Sequence, residues 1–94
     1  MQCKGNFNFR SLEKRAGGSF TNEQGKFIQY DDCYVLSVDE MTAHGLQVRN
    51  FRISTSNEQI LNKLKTKKVY DNINILFEVS LYRSNVKLIP IDLI

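Results

Sequence analysis

A small, mainly β barrel of five strands with one short helix is what this sequence predicts, and three observations predict it. Apolar and polar residues alternate over several runs, which is the period of a half-buried strand. Near residue 60 the spacing switches to that of a helix, between one set of strands and the next. The chain has 94 residues, 41% of them hydrophobic and 24% charged, which is enough for one core and too little for two. That composition excludes the low-hydrophobicity class of disordered chains. No apolar run approaches the roughly 20 residues of a membrane-spanning helix.

The elements follow in order. A first strand runs through Gly5–Leu12, where Phe7 and Phe9 alternate with Asn6, Asn8 and Arg10. Gly17-Gly18-Ser19-Phe20-Thr21 reads as a flexible loop. The second strand is Cys33–Asp39, with Tyr34, Leu36 and Val38 on one face. A turn at Met41–Gly45, carrying the exposed loop histidine His44, leads into the third strand, Leu46–Ile53. There Leu46 and Val48 share one parity and Phe51 and Ile53 the other, which predicts a β-bulge near Arg49-Asn50. Ser56-Asn57-Glu58-Gln59 has capping-box spacing, and Ile60, Leu61 and Leu64 form one apolar stripe, so a helix is expected over 57–66. Ile73, Ile75, Phe77, Val79 and Leu81 alternate without a break. Arg83-Ser84-Asn85 then turns the chain, and a last strand, Val86–Ile91, closes a hairpin over 72–91. Pro90 removes a ladder donor, so this strand is expected to end there or to reach a sheet edge. Three strands, a helix and two strands in one domain of residues 1–94 is the order of an OB-type barrel, with the helix plugging its bottom. A different small barrel or a half-open sheet fits the periodicity less well.

The inventory of chemistry is short. Cys3 and Cys33 stand 30 positions apart with one histidine in the chain, which is no zinc pattern; both thiols are expected to be reduced and partly buried. There is no phosphate-binding glycine loop before a helix, no HExxH and no GxSxG, and the Asp31-Asp32 and Asp39-Glu40 pairs lack EF-hand spacing. No enzyme, catalytic residue, metal, cofactor, membrane or small-molecule substrate is therefore expected. Met1–Asn6 lacks the apolar core of a secretory signal, which points to the cytoplasm.

Charge is more informative. The net charge is +3, but it is segregated. Residues 1–26 carry five basic and two acidic side chains, residues 27–45 four acidic and no basic ones, and residues 46–70 six basic against Glu58 alone. Segregation of this kind suggests a basic surface that meets an anion; an ordinary mixed surface is the bland alternative. Between Arg10 and Tyr34 the chain interleaves Arg10, Lys14, Arg15 and Lys26 with Phe20, Phe27, Tyr30 and Tyr34. Single-stranded nucleic acid needs both cations that track its phosphates and rings on which its bases stack. In an OB barrel this stretch forms the first loop and its flanking strands, where oligonucleotides are most often held. Phe20, Phe27 and Tyr34 serve equally as core filling, whereas tyrosine hydroxyls favour a wet edge.

Gln24-Gly25-Lys26 followed by Cys33-Tyr34-Val35 resembles the region after the DNA-binding wing in the gene V-type single-stranded DNA-binding proteins of filamentous phages. Ser84-Asn85-Val86-Lys87-Leu88-Ile89-Pro90 is similar to the last strand of that family. The resemblance implies an OB barrel that dimerises, coats single strands cooperatively and blocks complementary synthesis during phage replication. It places Lys26 beside an extended first hairpin that grips the backbone and Arg15 on the opposing side of that hairpin, sets Tyr34 on the following strand against the bases, and matches Lys87 to a basic position of the last strand. The helix at 57–66 departs from the pattern, because the family has an irregular loop there, and points to a broader phage or plasmid family of the same fold. Taken together, the expected function is non-catalytic, sequence-tolerant binding of single-stranded DNA in phage or mobile-element replication, in the bacterial host cytoplasm if phage-encoded. Arg10, Lys14, Arg15, Lys26, Arg49 and Arg52 would hold phosphates, and Tyr30, Tyr34 and Phe51 would stack bases. RNA as the ligand, or a protein-interaction module docking an acidic partner, stay open as alternatives. A homodimer is expected, because one short groove makes few contacts and the apolar ending Ile91-Asp92-Leu93-Ile94 suggests a surface for a second copy.

Overall fold

One long strand organises the molecule. The computed structural model describes the backbone of residues 1–94 and every side chain except that of Tyr82. Strand β1 (Gln2–Arg15) pairs through its first half with β6 (Asn72–Tyr82) and through its second half with β4 (Cys33–Thr42). With β5 (Gly45–Ser54) beside β4 and β7 (Asn85–Leu93) beside β6, the order is β5-β4-β1-β6-β7, antiparallel throughout. The sheet curls into a half-barrel that brings its edges, β5 and β7, near one another. A hairpin of β2 (Gly18–Thr21) and β3 (Phe27–Tyr30) forms a separate two-stranded sheet. The protein is thus a small, mainly β domain with one short helix, a curled five-stranded antiparallel sheet and an added hairpin.

The concave face carries the core. Phe7, Phe51 and Phe77 meet with ring centroids 5.0 to 6.0 Å apart in edge-on and tilted arrangements, the geometry that suits their quadrupoles. Gly5 lies beneath them, where an added Cβ would overlap the Phe7 ring. Helix α1 (Glu58–Leu64) lies against β7 and buries Ile60, Leu61 and Leu64 into the same core. Among the described residues no helix is long and apolar enough to cross a membrane.

Several expectations change. The strands are longer than the periodicity gave, and the glycine stretch read as a flexible loop starts β2 at Gly18. No bulge interrupts β5, whose register with β4 is continuous from Ser54 to Gly45. Leu46 and Val48 simply point to the convex face, near the hairpin tip and beyond the core, and are exposed. The bulges fall instead in β1 between Phe9 and Ser11, and in the β6–β7 pair beside Leu76 and Phe77. The first of these moves the buried side from Phe7 and Phe9 to Leu12. The capping box does not form: Asn57 is the N-cap without a side-chain bond, Ser56 pairs with Ser54, and Gln59 reaches across to Asp92. Pro90 does not end β7, which continues to Leu93; the alternative expectation holds, since β7 is an edge of the sheet and its pairing with β6 shifts register beside Pro90. Leu93 is buried and Ile91 half-buried, so the chain's apolar ending largely folds back onto the core, which removes most of the surface expected there for a second copy. Cys3 is exposed rather than partly buried, and Cys33 is half-buried.

Candidate nucleic-acid interface

Two devices fix the β2–β3 hairpin. At its tip, Asn22 Oδ1 accepts the amide hydrogens of Gln24 (3.0 Å) and Lys26 (2.9 Å), and Gly25 takes a positive φ of 76°, which glycine adopts without steric cost. At its base, Gly17 lies so close to the main chain of Tyr30–Asp32 that a Cβ would overlap the Tyr30 carbonyl oxygen. Its N–H is accepted by Asp32 Oδ1, whose other oxygen stands 4.0 Å from Lys14 Nζ.

Cross-strand register then sorts the side chains. Gly18 opposes Tyr30 and Phe20 opposes Ile28, so Phe20, Ile28 and Tyr30 share one face of the hairpin. On the convex face of the main sheet, Arg15 opposes Cys33, Cys33 opposes Ser54, and Arg52 opposes Val35. These two surfaces enclose a cleft of about 790 Å³. Phe20 and Tyr30 line it with centroids 6.3 Å apart and planes tilted by 55°, and both rings are about half exposed. Gly18 leaves space for the Tyr30 ring, since a Cβ there would stand 3.0 Å from the phenol oxygen. Arg15 and Arg52 also line the cleft, are exposed, and are in none of the ion pairs among the described residues. Asp31 and Asp32 contribute carboxylates to the same cleft.

Arg52 and Ser54 continue from the cleft into a groove of about 420 Å³ at the β5–β7 seam, where Lys87 lies beside Asn50 and Ile89. Of the expected site residues, the cleft and this groove therefore gather Arg15, Tyr30, Arg52 and Lys87, and Phe51 also lines the groove. The others are placed elsewhere. Arg10 Nη1 donates to Asp39 Oδ1 (3.3 Å), and Arg49 Nη1 donates to Glu40 Oε2 (2.8 Å); each spends its charge within the protein. Lys14 and Tyr34 oppose one another and line a different pocket beside α1, with the Lys65 ammonium 5.7 Å from the Tyr34 centroid. Tyr34 is half-buried and packs on the core. Lys26 is exposed at the hairpin tip, outside the cleft. Phe51 is a core ring at 8% exposure, which withdraws it as a stacking surface.

Phe20 is the cleft residue that sequence reasoning left undecided between core and surface. The alternation of Phe20 with its neighbours, and of Ile28 and Tyr30 across the Asn22–Lys26 turn, is the signal that assigns it to the hairpin face. Comparison of the chain with known protein families, with known proteins and with solved structures finds no match.

Proposed function

We propose that this chain is a non-catalytic, sequence-tolerant single-stranded DNA-binding protein on an OB-type barrel, acting in phage or mobile-element replication in a bacterial host cytoplasm. The connectivity supports the OB reading: α1 falls between the third and fourth long strands, and the longest strand, β1, pairs with both halves of the sheet. In that fold, oligonucleotides are held by the face of the second and third barrel strands together with the first loop. Here the corresponding parts are β4–β5 and the loop that carries β2–β3, and the cleft lies between them.

The observation that carries the proposal is the pairing, in that cleft, of two half-exposed rings with two guanidiniums that are in no ion pair among the described residues. Cations that are free to neutralise phosphates release counterions and so drive association. Exposed rings stack on bases whatever their identity. A duplex keeps its base faces inside its own stack, so Phe20 and Tyr30 favour a single strand.

A fluorescence titration tests this directly. The protein contains tyrosine and no tryptophan, so stacking on Tyr30 quenches tyrosine emission. Single-stranded DNA should quench and bind at low salt while duplex of equal length does neither, and an RNA arm reads the preference between the two sugars. With Arg15, Arg52 and Lys87 on phosphates, log affinity should fall with log salt at a slope of about −2. Unchanged emission and no retarded band with any single strand overturns the proposal. Capture of an acidic polypeptide in place of nucleic acid would instead make the barrel an interaction module. We further propose a homodimer, supported by Leu81 and Val86, which oppose one another near the β6–β7 tip and are both exposed.

A further inference from the structure

Tyr70 holds a left-handed backbone conformation, φ 73°, which a bulky aromatic residue rarely adopts. Its neighbours enforce it. The Tyr70 amide donates to the Phe9 carbonyl (2.7 Å), and the Phe9 amide donates to the Asp71 carbonyl (2.8 Å), so the turn before β6 is stitched onto β1. Asp71 Oδ2 also accepts the Lys68 amide hydrogen (2.9 Å). The side chain takes no part in this: it is 76% exposed, and Val69 beside it is exposed as well. Glycine would satisfy the same backbone without strain. Strain held in place by the main chain while a large ring stands in water is an outlier from which a contact role can be hypothesised.

The surroundings indicate what it contacts. Lys65, Lys67 and Lys68 precede Tyr70 within five positions, and none is in an ion pair among the described residues. A series of depressions that share lining residues leads from the cleft to Lys65 and Lys67, next to Lys68 in the chain. Tyr30 and Ser54 join the cleft to a depression lined by Thr55 and Ser56. Thr55 joins that one to the pocket of Lys14, Tyr34 and Lys65, and Asn62 joins that in turn to one lined by Thr66 and Lys67.

We infer that Lys65, Lys67, Lys68 and Tyr70 form a second contact for the single strand as it leaves the cleft, the lysines holding phosphates and Tyr70 stacking a base. The inference rests on the cleft being a single-strand site, and the test separates the two. Oligothymidylates of about 4 and about 16 nucleotides, the span over which one such domain engages a strand, are titrated in excess so that each strand carries one protein. Tyr70→Gly relieves the backbone strain, so its melting temperature should equal or exceed that of the unsubstituted protein. Its affinity for the long strand should fall by roughly 5- to 150-fold, the loss expected for one stacked base, with affinity for the short strand unchanged. Lys67→Ala combined with Lys68→Ala should flatten the long-strand salt slope by about 1.4 and leave the short-strand slope as it was. Long-strand binding unaffected by either variant, or weakened equally at both lengths, overturns the second contact; if Arg15→Ala still weakens both lengths, the cleft reading stands without it. Failure of the unsubstituted protein to bind either strand removes both.

Discussion

Arg10 and Arg15 lie five positions apart on one strand, yet they offer an anion different things. Arg10 is committed to Asp39, whereas Arg15 lines the cleft and is in no ion pair among the described residues. Arg15→Ala should therefore lower affinity for single strands and flatten the salt slope by about 0.7, while Arg10→Ala should leave the slope in place; titration at several salt concentrations distinguishes them. The aromatic residues divide in the same manner. Tyr30→Ala should cost about 1–3 kcal/mol of binding with little change in melting temperature, because its ring is half exposed and acts through stacking. Phe51→Ala should cost about 3–5 kcal/mol of folding stability, read by denaturant unfolding, because its ring is packed against Phe7 and Phe77.

At the scale of elements, the base of the hairpin depends on one close approach. Gly17→Ala should push the base of β2–β3 away from Tyr30–Asp32, where no space exists for a Cβ. Backbone amide shifts in an NMR spectrum should then change across residues 16–32 while the signals of the five-stranded sheet stay in place, and the proposed single-strand binding should weaken with them. Shifts spread through β4 and β6 instead would show that the hairpin and the five-stranded sheet fold as one unit. Elements with an uninterrupted pattern were legible in the sequence: the 72–91 hairpin, the strand at Cys33 and the stripe Ile60, Leu61, Leu64. The four-residue strands β2 and β3 were too short for periodicity to register. A switch of parity proved ambiguous, since it marks a true bulge after Phe9 but only a change of face in β5. The cations of the site were legible by residue type, and their availability was not. Whether Arg10 and Arg49 are spent depends on Asp39 and Glu40, which reach them only through strand pairing.

For the whole molecule, the attachment of α1 gives a pH dependence. A seven-residue helix is too short to hold itself in water, and α1 is tied to β7 where Gln59 Nε2 and Lys63 Nζ each donate to Asp92 at 2.8 Å. The Lys63 hydrogen bond holds the Asp92 carboxyl below its ordinary value, against the opposing effect of desolvation. A carboxylate whose folded-state pKa is depressed adds stability above its unfolded pKa, and that increment is lost as pH falls through the folded value. Asp92→Asn should thus lower the melting temperature near neutrality and converge with the unsubstituted protein in acid; parallel curves across the whole range would remove the role assigned to this carboxylate. The proposed dimer is tested by sedimentation equilibrium, where a mass near twice 10.9 kDa is expected and Val86→Lys should return the monomer. A 10.9 kDa species that still binds single strands tightly would show that affinity is gained without a second copy.

The isolation of the β2–β3 pairing also bears on how such a protein diversifies. Among the described residues, the main-chain bonds of these strands run only within the hairpin. Inserting or deleting residues in opposed pairs near the Asn22–Lys26 turn would lengthen or shorten this arm while every rung of the five-stranded ladder keeps its partner. The arm is in effect an exchangeable cassette, whose length can change on a five-stranded sheet that has no need to change with it.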